Sequence, residues 1–268
     1  MMFTVFTPTY NRAHTLPRVY ESLCKQTCKD FEWLIIDDGS TDDTDAVVGV
    51  LFQEPRLFDI RYYRQPHSGK HIAHNLALKK AYGEFFFILD SDDTIMPNAL
   101  ERIAFHYRRA SWVYPYLNHL LPIGVTGLVV NEIGVVCGDK FPGDVFDMSA
   151  VERILELGIA GEKQPVIRTD IARQYPFPEI KGTDYIPEGW LWLSLGQKYR
   201  ERCVNEVFRM RHEDAGRTLT KERNQPQNIR GRRFYAQWFL RNFMGWFFYR
   251  PMEFVKAAAV LVMPKARR

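Results

Sequence analysis

The first 110 residues alternate between short apolar runs and amphipathic segments. The apolar runs are continuously hydrophobic, as expected of strands covered on both faces, and they lie at residues 2–8, 31–38, 60–64 and 84–90. The segments between them carry apolar residues at helical spacing and predict helices from residue 16, after residue 40, at 70–81 and at 97–110. Repeated strand–helix–strand units predict the α/β class, with a mostly parallel central sheet flanked by helices.

The pattern changes after residue 110. Strands are predicted within 122–136, 143–148 and 203–213, a strand that leads into a helix within 164–175, and helices at 149–158 and 187–199. This order predicts a mixed continuation of the same sheet. Because the sequence contains no internal repeat, low-complexity tract or flexible linker, we expect one compact domain rather than two.

A cluster of polar residues follows each of the first four predicted strands. The clusters read TPTYNR, DDGSTDD, QPHSGK and DSDD. In open α/β sheets, ligands bind beyond the carboxyl ends of the strands. The four loops are therefore predicted to converge on one cleft.

The fourth apolar run ends in three aspartates, Asp90, Asp92 and Asp93. Carboxylates this close repel one another and need a counter-charge, which a divalent cation with oxygen ligands can supply. A solvated acidic turn that caps the helix starting near Pro97 is an equally good interpretation of this stretch alone.

Composition indicates an ordinary soluble globular protein, with 46% hydrophobic and 25% charged residues. The first residues lack the pattern of a signal peptide, and no apolar run is long enough to predict a spanning helix. The four cysteines have no zinc-type spacing, so we expect reduced thiols and a cytoplasmic location. Charge is uneven: from Gly216 onward 12 Lys and Arg face two acids, whereas the residues before it hold 24 basic and 30 acidic residues.

Taken in order, five motifs resemble those of the family 2 glycosyltransferases of the GT-A fold: TPTYNR, LIIDDGSTDDT, SGKHIAHNLAL, FFFILDSDD and PEGWLWLSL. Each motif is weak alone, but the ordered set is specific and covers about residues 1–212. The resemblance implies a Rossmann-like sheet and a catalytic domain at 1–215, with a nucleotide-sugar-binding half at 1–110 and an acceptor half at 111–215. Residues 216–268 then form a basic, aromatic, helical C-terminal extension.

The resemblance also implies which residues bind a nucleotide-sugar donor. Tyr10 would stack on the base, and Asp38 would accept a hydrogen bond from a uracil-type imide. Arg12 and Lys70 would face the diphosphate, since Lys70 lies at a predicted helix start. Helix capping by Asp38, and plain surface charge for the two cations, remain open. The full predicted donor set is Thr7, Pro8, Tyr10, Arg12, Asp38, Lys70, Asn75, Asp90 and Ser91.

In the family, the D-x-D aspartates bind a divalent cation that neutralises charge on the departing nucleoside diphosphate. The resemblance therefore implies Mn²⁺ or Mg²⁺ on Asp92, with Asp90 reaching the metal or the ribose. His212 would close the coordination shell, although a surface histidine is the simpler interpretation. His71 and His74 share a helix face but lack a third ligand, so we expect them to pack or to shape the donor site.

Sugar transfer needs a base that takes the proton of the acceptor hydroxyl. Alignment of Trp192 and Leu193 with the family's Trp-Leu pattern places Glu188 in the position of this base. Many members carry Asp there, so the acceptor pocket is expected to be displaced slightly. Asp184 is the reserve candidate, and a carboxylate that complements a helix dipole is the alternative for Glu188.

The C-terminal segment is aromatic as well as basic, with nine aromatic residues among the 16 from Phe234 to Tyr249. Such a segment can anchor in the headgroup layer of an anionic membrane, pack on the catalytic domain or a second subunit, or stack on nucleic-acid bases. We favour the membrane, since the body is acidic and carries no nucleic-acid motif. No nucleic-acid partner is expected, and homo-oligomerisation is left open.

The motifs and the resemblance together predict a metal-dependent glycosyltransferase, and the resemblance implies that it inverts the anomeric centre. It would move a sugar from a nucleoside diphosphate, with UDP preferred, to a hydroxyl of a glycan or lipid-linked acceptor in cell-surface polysaccharide synthesis, at the cytoplasmic membrane face. The alternatives are a sugar nucleotidyltransferase and a non-catalytic nucleotide-binding or scaffold protein. The identity of the sugar depends on the pocket formed by residues 110–190, which resemble the family least, and the sequence does not name the acceptor.

Overall fold

In the computed structural model, residues 1–54, 57–113, 121–213 and 228–263 are described. Within them, nine strands form one sheet. The strands are β1 (Phe3–Thr9), β2 (Phe31–Asp37), β3 (Asp59–Arg64), β4 (Phe85–Ile88), β5 (Thr94–Ile95), β6 (Gly124–Asn131), β7 (Val145–Met148), β8 (Lys163–Arg168) and β9 (Glu201–Arg211). The helices are α1 (Leu16–Cys24), α2 (Thr44–Leu51), α3 (Lys70–Lys80), α4 (Ala99–Val113), α5 (Thr169–Ala172), α6 (Gly189–Gly196), α7 (Ile229–Phe243) and α8 (Pro251–Val262).

The sheet has the order β3-β2-β1-β4-β8-β6-β9-β5, and β7 also pairs with β9, at residues 201–204. The first four strands in this order are mutually parallel. Antiparallel β8 then joins β4 to β6, while β6 and β9 run parallel. The predicted α/β fold, with a mostly parallel sheet and a mixed continuation, is confirmed.

The parallel strands are continuously apolar because each is covered on both faces. On β1, Phe3 and Val5 face a core shared with α1, α2 and α4. The alternate residue Phe6 faces a second core, shared with α3, α5 and α6. All three side chains are fully buried. This double cover leaves the carboxyl end of the sheet as the open edge on which the polar loops lie.

Two elements differ from the sequence prediction. The two-residue strand β5 is too short to produce a periodic pattern, and it forms only because Thr94 and Ile95 pair with β9. The predicted helix at 149–158 contains a π-helical turn, Glu152–Glu156. Its start is a capping box, since the amide of Ser149 donates to the Glu152 carboxylate and the amide of Glu152 donates to the Ser149 hydroxyl.

The helices α7 and α8, linked by a 3₁₀ turn at Met244–Trp246, form a C-terminal hairpin that packs on the body of the protein. Side chains from the π-helical turn and α6 share one apolar cluster with the hairpin: Val151, Leu155, Leu193, Ala236, Phe239, Phe243, Phe254 and Ala257. Packing on the catalytic domain, one of the alternatives for this segment, is thus observed. No helix in the described ranges combines the length and the hydrophobicity needed to span a bilayer.

Candidate active site

The loops that follow the parallel strands meet at one edge of the sheet. The backbone ladder continues past the strand ends, because the Asp38 amide donates to the Thr9 carbonyl and the Gln65 amide donates to the Asp37 carbonyl. The Leu89 amide likewise donates to the Phe6 carbonyl. These bonds place the four polar clusters side by side.

Asp37 ties the first two loops together. Its Oδ1 accepts hydrogen bonds from the amide and the hydroxyl of Ser40 at 2.8 and 2.6 Å, and its Oδ2 accepts one from the Tyr62 hydroxyl at 2.7 Å. Burial and the bond to Asp37 raise the pKa of Tyr62. Ser40 Oγ in turn accepts from the amide of Asn11, whose φ of 54° places it in the left-handed region. The Asp37 carboxylate therefore has a structural role, since its hydrogen bonds hold the loops in place.

Asp38 organises the third loop. Its Oδ1 accepts from Gln65 Nε2 at 2.7 Å and from the Ser68 amide at 2.9 Å, while its Oδ2 accepts from the Gly69 amide at 2.8 Å. The His67 ring nitrogen Nδ1 lies 2.8 Å from the same Oδ2. The residue does not cap α2, which was the alternative interpretation. Its contact with a nucleotide base stays a prediction. A hydrogen bond from the base would be an additional bond to a carboxylate that already holds the loop in place.

Tyr10 and His67 form a stacked pair at the rim of the cleft. Their ring centroids are 4.1 Å apart and their planes differ by 18°. Tyr10 keeps 38% of its surface exposed, as a residue that stacks on a base must. His67 was not singled out from the sequence, because nothing in QPHSGK shows that its ring reaches the loop after β1.

Lys70 forms ion pairs both with the aspartate turn after β4 and with Glu188, the predicted base. It opens α3, and its Nζ lies 2.5 Å from Asp90 Oδ1 and 2.7 Å from Glu188 Oε1. The two carboxylates raise the pKa of Lys70 even though burial opposes them. The backbones also touch here: a Cβ on Gly69, whose φ is 95°, would lie 2.0 Å from the Asp184 carbonyl oxygen. Asp184, the reserve base, belongs to the same loop as Glu188.

Arg209 on β9 anchors the aspartate turn. Its guanidinium lies 2.9 Å from Asp93 Oδ2, 3.4 Å from Asp90 Oδ2 and 2.5 Å from Glu162 Oε1, and only 5% of the residue is exposed. The lysine and arginine charges lower the pKa of Asp90 against the effect of burial. Burial raises the pKa of Asp93 to about 7 although Arg209 opposes this shift.

Asp92 differs from Asp90 and Asp93 because its carboxylate is not held by an ion pair within the described residues. Its backbone carbonyl accepts a 2.6 Å bond from Arg18 Nη2, but its carboxylate makes no hydrogen bond or ion pair with any other residue in the part of the chain that the structure covers. Burial and the neighbouring Asp90 charge raise the pKa of Asp92, while the charges of Arg12 and Lys70 act in the opposite direction. A partly buried carboxylate without a bonded partner is what a cation site requires.

Asp92 therefore fits the hard oxygen ligands that Mg²⁺ and Mn²⁺ prefer. Asp90 has the same chemistry, but it would have to loosen its contacts with Lys70 and Arg209 to bind the cation. A preformed group of three or more His, Cys, Asp or Glu side chains that could hold a metal does not occur within residues 1–54, 57–113, 121–213 and 228–263. Further ligands would have to come from the donor phosphates and water, as is usual for Mg²⁺.

His212 lies beside the turn but is engaged elsewhere. Its amide donates to Asp93 Oδ1 at 3.2 Å. Its Nε2 lies 3.0 Å from Thr94 Oγ1 and its Nδ1 lies 2.8 Å from Glu132 Oε1, so both ring nitrogens have partners. Ligation of a metal by His212, which stays a prediction, would require the Thr94 contact to break.

The remaining residues of the predicted nucleotide-sugar site are buried and make structural contacts beneath the loops. The Thr7 hydroxyl accepts a 2.9 Å bond from the Trp33 indole within the core, and Pro8 is buried in β1. Asn75 exchanges two 2.8 Å bonds with the backbone of Phe177, which fixes the chain that leads to the Glu188 loop. Ser91 is buried within the aspartate turn.

His71 and His74 are both buried, and their ring nitrogens lack hydrogen-bond partners in the described structure. The ring of His74 meets Phe86 and Phe177 edge-on. Burial, followed by the charges of Lys70 and His71, lowers the pKa of His74 to about 3. Packing is therefore the observed role of this residue.

This burial predicts a pH-dependent stability. The folded pKa of His74 is about 3 against an ordinary 6.5, so between these values the unfolded chain binds more protons and stability falls as pH falls. From pH 7 to pH 5 we expect His74 to account for a loss of about 2 kcal/mol in the free energy of unfolding. Urea unfolding at both pH values should show a smaller loss for His74→Leu. The exposed His14→Leu is the control, and equal losses in the wild type and His74→Leu would refute the assignment.

Comparison with known proteins gives a family match for the N-terminal part of the chain. Residues 4–113 match glycosyl transferase family 2. An uncharacterized glycosyltransferase of Rickettsia felis is 40% identical over 141 residues, which are 52% of this chain and 23% of that protein. The chain thus spans less than a quarter of that relative's length. An Escherichia coli protein, UDP-Glc:alpha-D-GlcNAc-diphosphoundecaprenol beta-1,3-glucosyltransferase WfgD, is 27% identical over 77% of this chain and 74% of its own.

Two groups of solved structures share the fold. S. aureus TarS 1–349 in complex with UDP-GlcNAc superposes with a TM-score of 0.64 at 21% identity, over 97% of this chain and 70% of that one. The mannosyltransferase PcManGT from Pyrobaculum calidifontis, in complex with GDP-Man and Mn²⁺, gives 0.57 at 19% identity, over 96% and 73%. The motifs, the sheet order and these matches agree that residues 4–113 form a glycosyl transferase family 2 domain and that the chain has a GT-A type fold.

Proposed function

We propose that this protein transfers a glycosyl group from a nucleoside-diphosphate sugar, with UDP as the nucleotide, to a hydroxyl of a lipid-linked glycan acceptor. The observation that carries the proposal is the ion network in which Lys70 bonds both Asp90 and Glu188. It joins a carboxylate of the donor loop to the carboxylate at the start of α6. A donor diphosphate and an acceptor hydroxyl bound on either side of this network would be neighbours.

The donor would lie along the loops after β1 to β4. Tyr10 offers a ring face to the base, and Arg12 and Lys70 offer positive charge to the diphosphate. A Mg²⁺ or Mn²⁺ ion held by Asp92 and Asp90 would neutralise charge on the diphosphate. The Mn²⁺ in PcManGT and the UDP-GlcNAc in TarS support this arrangement by analogy of fold alone.

In the transfer step, the acceptor oxygen forms a bond to the anomeric carbon while the bond from that carbon to the diphosphate oxygen breaks. The acceptor proton passes to the Glu188 carboxylate, and the electron pair of the broken bond leaves with the nucleoside diphosphate. Attack opposite the leaving group inverts the anomeric centre. Lys70 would turn from Glu188 toward the diphosphate when the donor arrives, which frees the base.

The acceptor is proposed to be lipid-linked because the relative WfgD, by its name, uses a diphosphoundecaprenol acceptor. A membrane surface would then be close. The tip of the C-terminal hairpin exposes large apolar side chains, with Phe248 at 90%, Met252 at 62% and Tyr249 at 60%. Arg241 is exposed nearby, and the segment from Gly216 onward is strongly basic. Exposed apolar groups beside cations fit the headgroup layer of an anionic bilayer.

We expect the protein to sediment with vesicles that contain phosphatidylglycerol. The double substitution Phe248→Ser and Met252→Ser should weaken partitioning at least tenfold, since each apolar side chain that is buried in the bilayer contributes roughly 1.5–3 kcal/mol. Ile133→Ser is the control, because it removes a highly exposed apolar side chain that lies outside the C-terminal hairpin. Undiminished sedimentation of the double variant would contradict the membrane role.

The proposed activity is tested by a panel of nucleotide sugars. Thermal unfolding is measured with each compound, with and without Mn²⁺, since a ligand that binds only the folded form raises its stability. A UDP-sugar is expected to raise the melting temperature in the presence of metal and to release UDP slowly. Binding without turnover in an acceptor screen would favour the non-catalytic alternative. No binding by any nucleotide sugar would overturn the proposal.

A further inference from the structure

A cavity of about 310 Å³ lies between the C-terminal hairpin and the body of the protein. One wall comes from α7 and α8, through residues that include Ala236, Phe239 and Ala257. The opposite wall comes from the π-helical turn and α6, through Leu155 and Leu193. Its size is at the lower end of the roughly 300–1,000 Å³ found for ligand pockets.

The lining is mostly apolar and includes three charged residues. Aliphatic and aromatic groups form most of it, while Arg232 and Lys256 supply two cations and Glu253 one anion. Lys256 Nζ lies 2.7 Å from Glu253 Oε1, and both side chains are largely exposed. A mostly apolar pocket whose charged lining residues carry a net positive charge fits an aliphatic group that carries a phosphate.

The cavity adjoins the predicted base. Pro187, the residue before Glu188, is part of its lining, as is Tyr185. The hydroxyl of Tyr235, another lining residue, would lie 2.8 Å from a Cβ on Gly189, the first residue of α6. The cavity and Glu188 are therefore positioned by the same turn of chain.

We propose that this cavity binds the aliphatic chain of a prenyl-diphosphate-linked acceptor, with Arg232 and Lys256 facing its diphosphate. The inference rests on the proposed function and adds a location for the acceptor. The aliphatic chain would be held between the hairpin and α6, the diphosphate would lie beside Arg232 and Lys256, and the attached sugar would reach Glu188. The apolar lining favours an aliphatic chain over a purely polar glycan, and the net positive charge of the lining favours an anionic headgroup over a neutral lipid.

Farnesyl diphosphate serves as a soluble probe, titrated by calorimetry with UDP in excess so that the donor site is occupied. Farnesol and inorganic diphosphate are titrated in parallel. The proposal expects farnesyl diphosphate to bind at least tenfold more tightly than either fragment. Equal binding of inorganic diphosphate, or no binding of farnesyl diphosphate, would overturn it.

Variants locate the bound chain. Ala257→Leu fills the cavity and should weaken farnesyl diphosphate binding at least tenfold, whereas Ala258→Leu, one residue along α8 and exposed, should leave it unchanged. Val260→Phe is a second filling variant at a partly buried position of the lining. An unchanged circular dichroism spectrum and a cooperative thermal transition in each variant show that the fold is intact. Wild-type affinity for farnesyl diphosphate in both folded filling variants would refute the location.

The donor and acceptor proposals fail differently. If no nucleotide sugar binds while farnesyl diphosphate binds in an Ala257-dependent manner, the assignment of the donor is wrong and the cavity is still a prenyl-diphosphate site. If UDP-sugars bind and turn over but the cavity variants have no effect on the probe, the proposed function stands and the acceptor site is wrong.

Discussion

Asp92→Asn is expected to lower transfer by on the order of 10³-fold, since neutralising a developing diphosphate charge is worth several kcal/mol. Asp92 is the carboxylate of the turn that has no bonded partner among the described residues, whereas Asp90 and Asp93 are paired with Lys70 and Arg209. The same substitution should abolish the Mn²⁺-dependent part of the thermal shift that a UDP-sugar produces. Both effects are measured on purified protein across a range of metal concentrations.

The melting temperature of the unliganded Asp92→Asn variant distinguishes loss of the cation from misfolding. Burial and Asp90 raise the pKa of Asp92, so its ionised form is disfavoured in the folded protein. Loss of the charge should therefore leave the melting temperature of the unliganded protein equal or higher, as is common for residues that serve function at the expense of stability. Asp59→Asn, at the exposed start of β3, is the control. A metal-dependent shift of wild-type size in Asp92→Asn would show that the cation lies elsewhere.

Glu188→Gln is expected to lower transfer by about 10²–10⁴-fold, the usual contribution of a general base. The substitution keeps the shape of the side chain and removes its capacity to take a proton. It also leaves Lys70 paired with Asp90 alone, so donor affinity should be retained. Separate measurement of UDP-sugar binding and of transfer gives the required distinction, because a loss confined to kcat identifies a role in the chemical step.

Asp184→Asn is the matched control for the base. Asp184 belongs to the same loop, and its carbonyl oxygen packs against Gly69, but none of the ion pairs found in the described structure involves its carboxylate. The Asp184 variant should keep most of the transfer activity. If the two variants exchange these results, the reserve candidate is the base, and if neither loses activity, the acceptor proton leaves by another route.

The part of the site predicted from the sequence is the part encoded by local pattern. Strands β1 to β4 are continuously apolar because both faces are covered, and their polar loops follow directly in the chain, so their meeting at one edge could be deduced. The sequence placed Lys70 and Asp90 at this edge, but their direct pairing was not predicted.

The residues that were missed depend on contacts between distant parts of the chain. Arg209 reaches Asp90 across 119 positions, and no local pattern shows which arginine of β9 turns inward. His67 stacks on Tyr10 because Asp38 bends the third loop toward the first. The short strand β5 exists only through its pairing with β9. Such features follow from the tertiary structure and not from propensity.

The hairpin illustrates the same point for the C-terminal segment. Its composition suggested a membrane surface first, but Phe239, Phe243 and Phe254 are buried in a shared core with α6 and the π-helical turn. The apolar residues left for a membrane are those of the tip, such as Phe248 and Met252. Composition counts both sets alike, and only the fold separates them.

Helix α7 packs closely against the loop that leads to Glu188, and this contact limits how segments of related proteins can be recombined. Gly231 packs so tightly that a Cβ there would lie 1.9 Å from the Tyr185 carbonyl oxygen, and Arg230 donates to the Lys181 carbonyl. A chimaera that takes the loop and α6 from one homologue and the hairpin from another would bring mismatched surfaces together at this point. Acceptor preference should therefore be exchanged between relatives only when loop, α6 and hairpin are transplanted as a single unit.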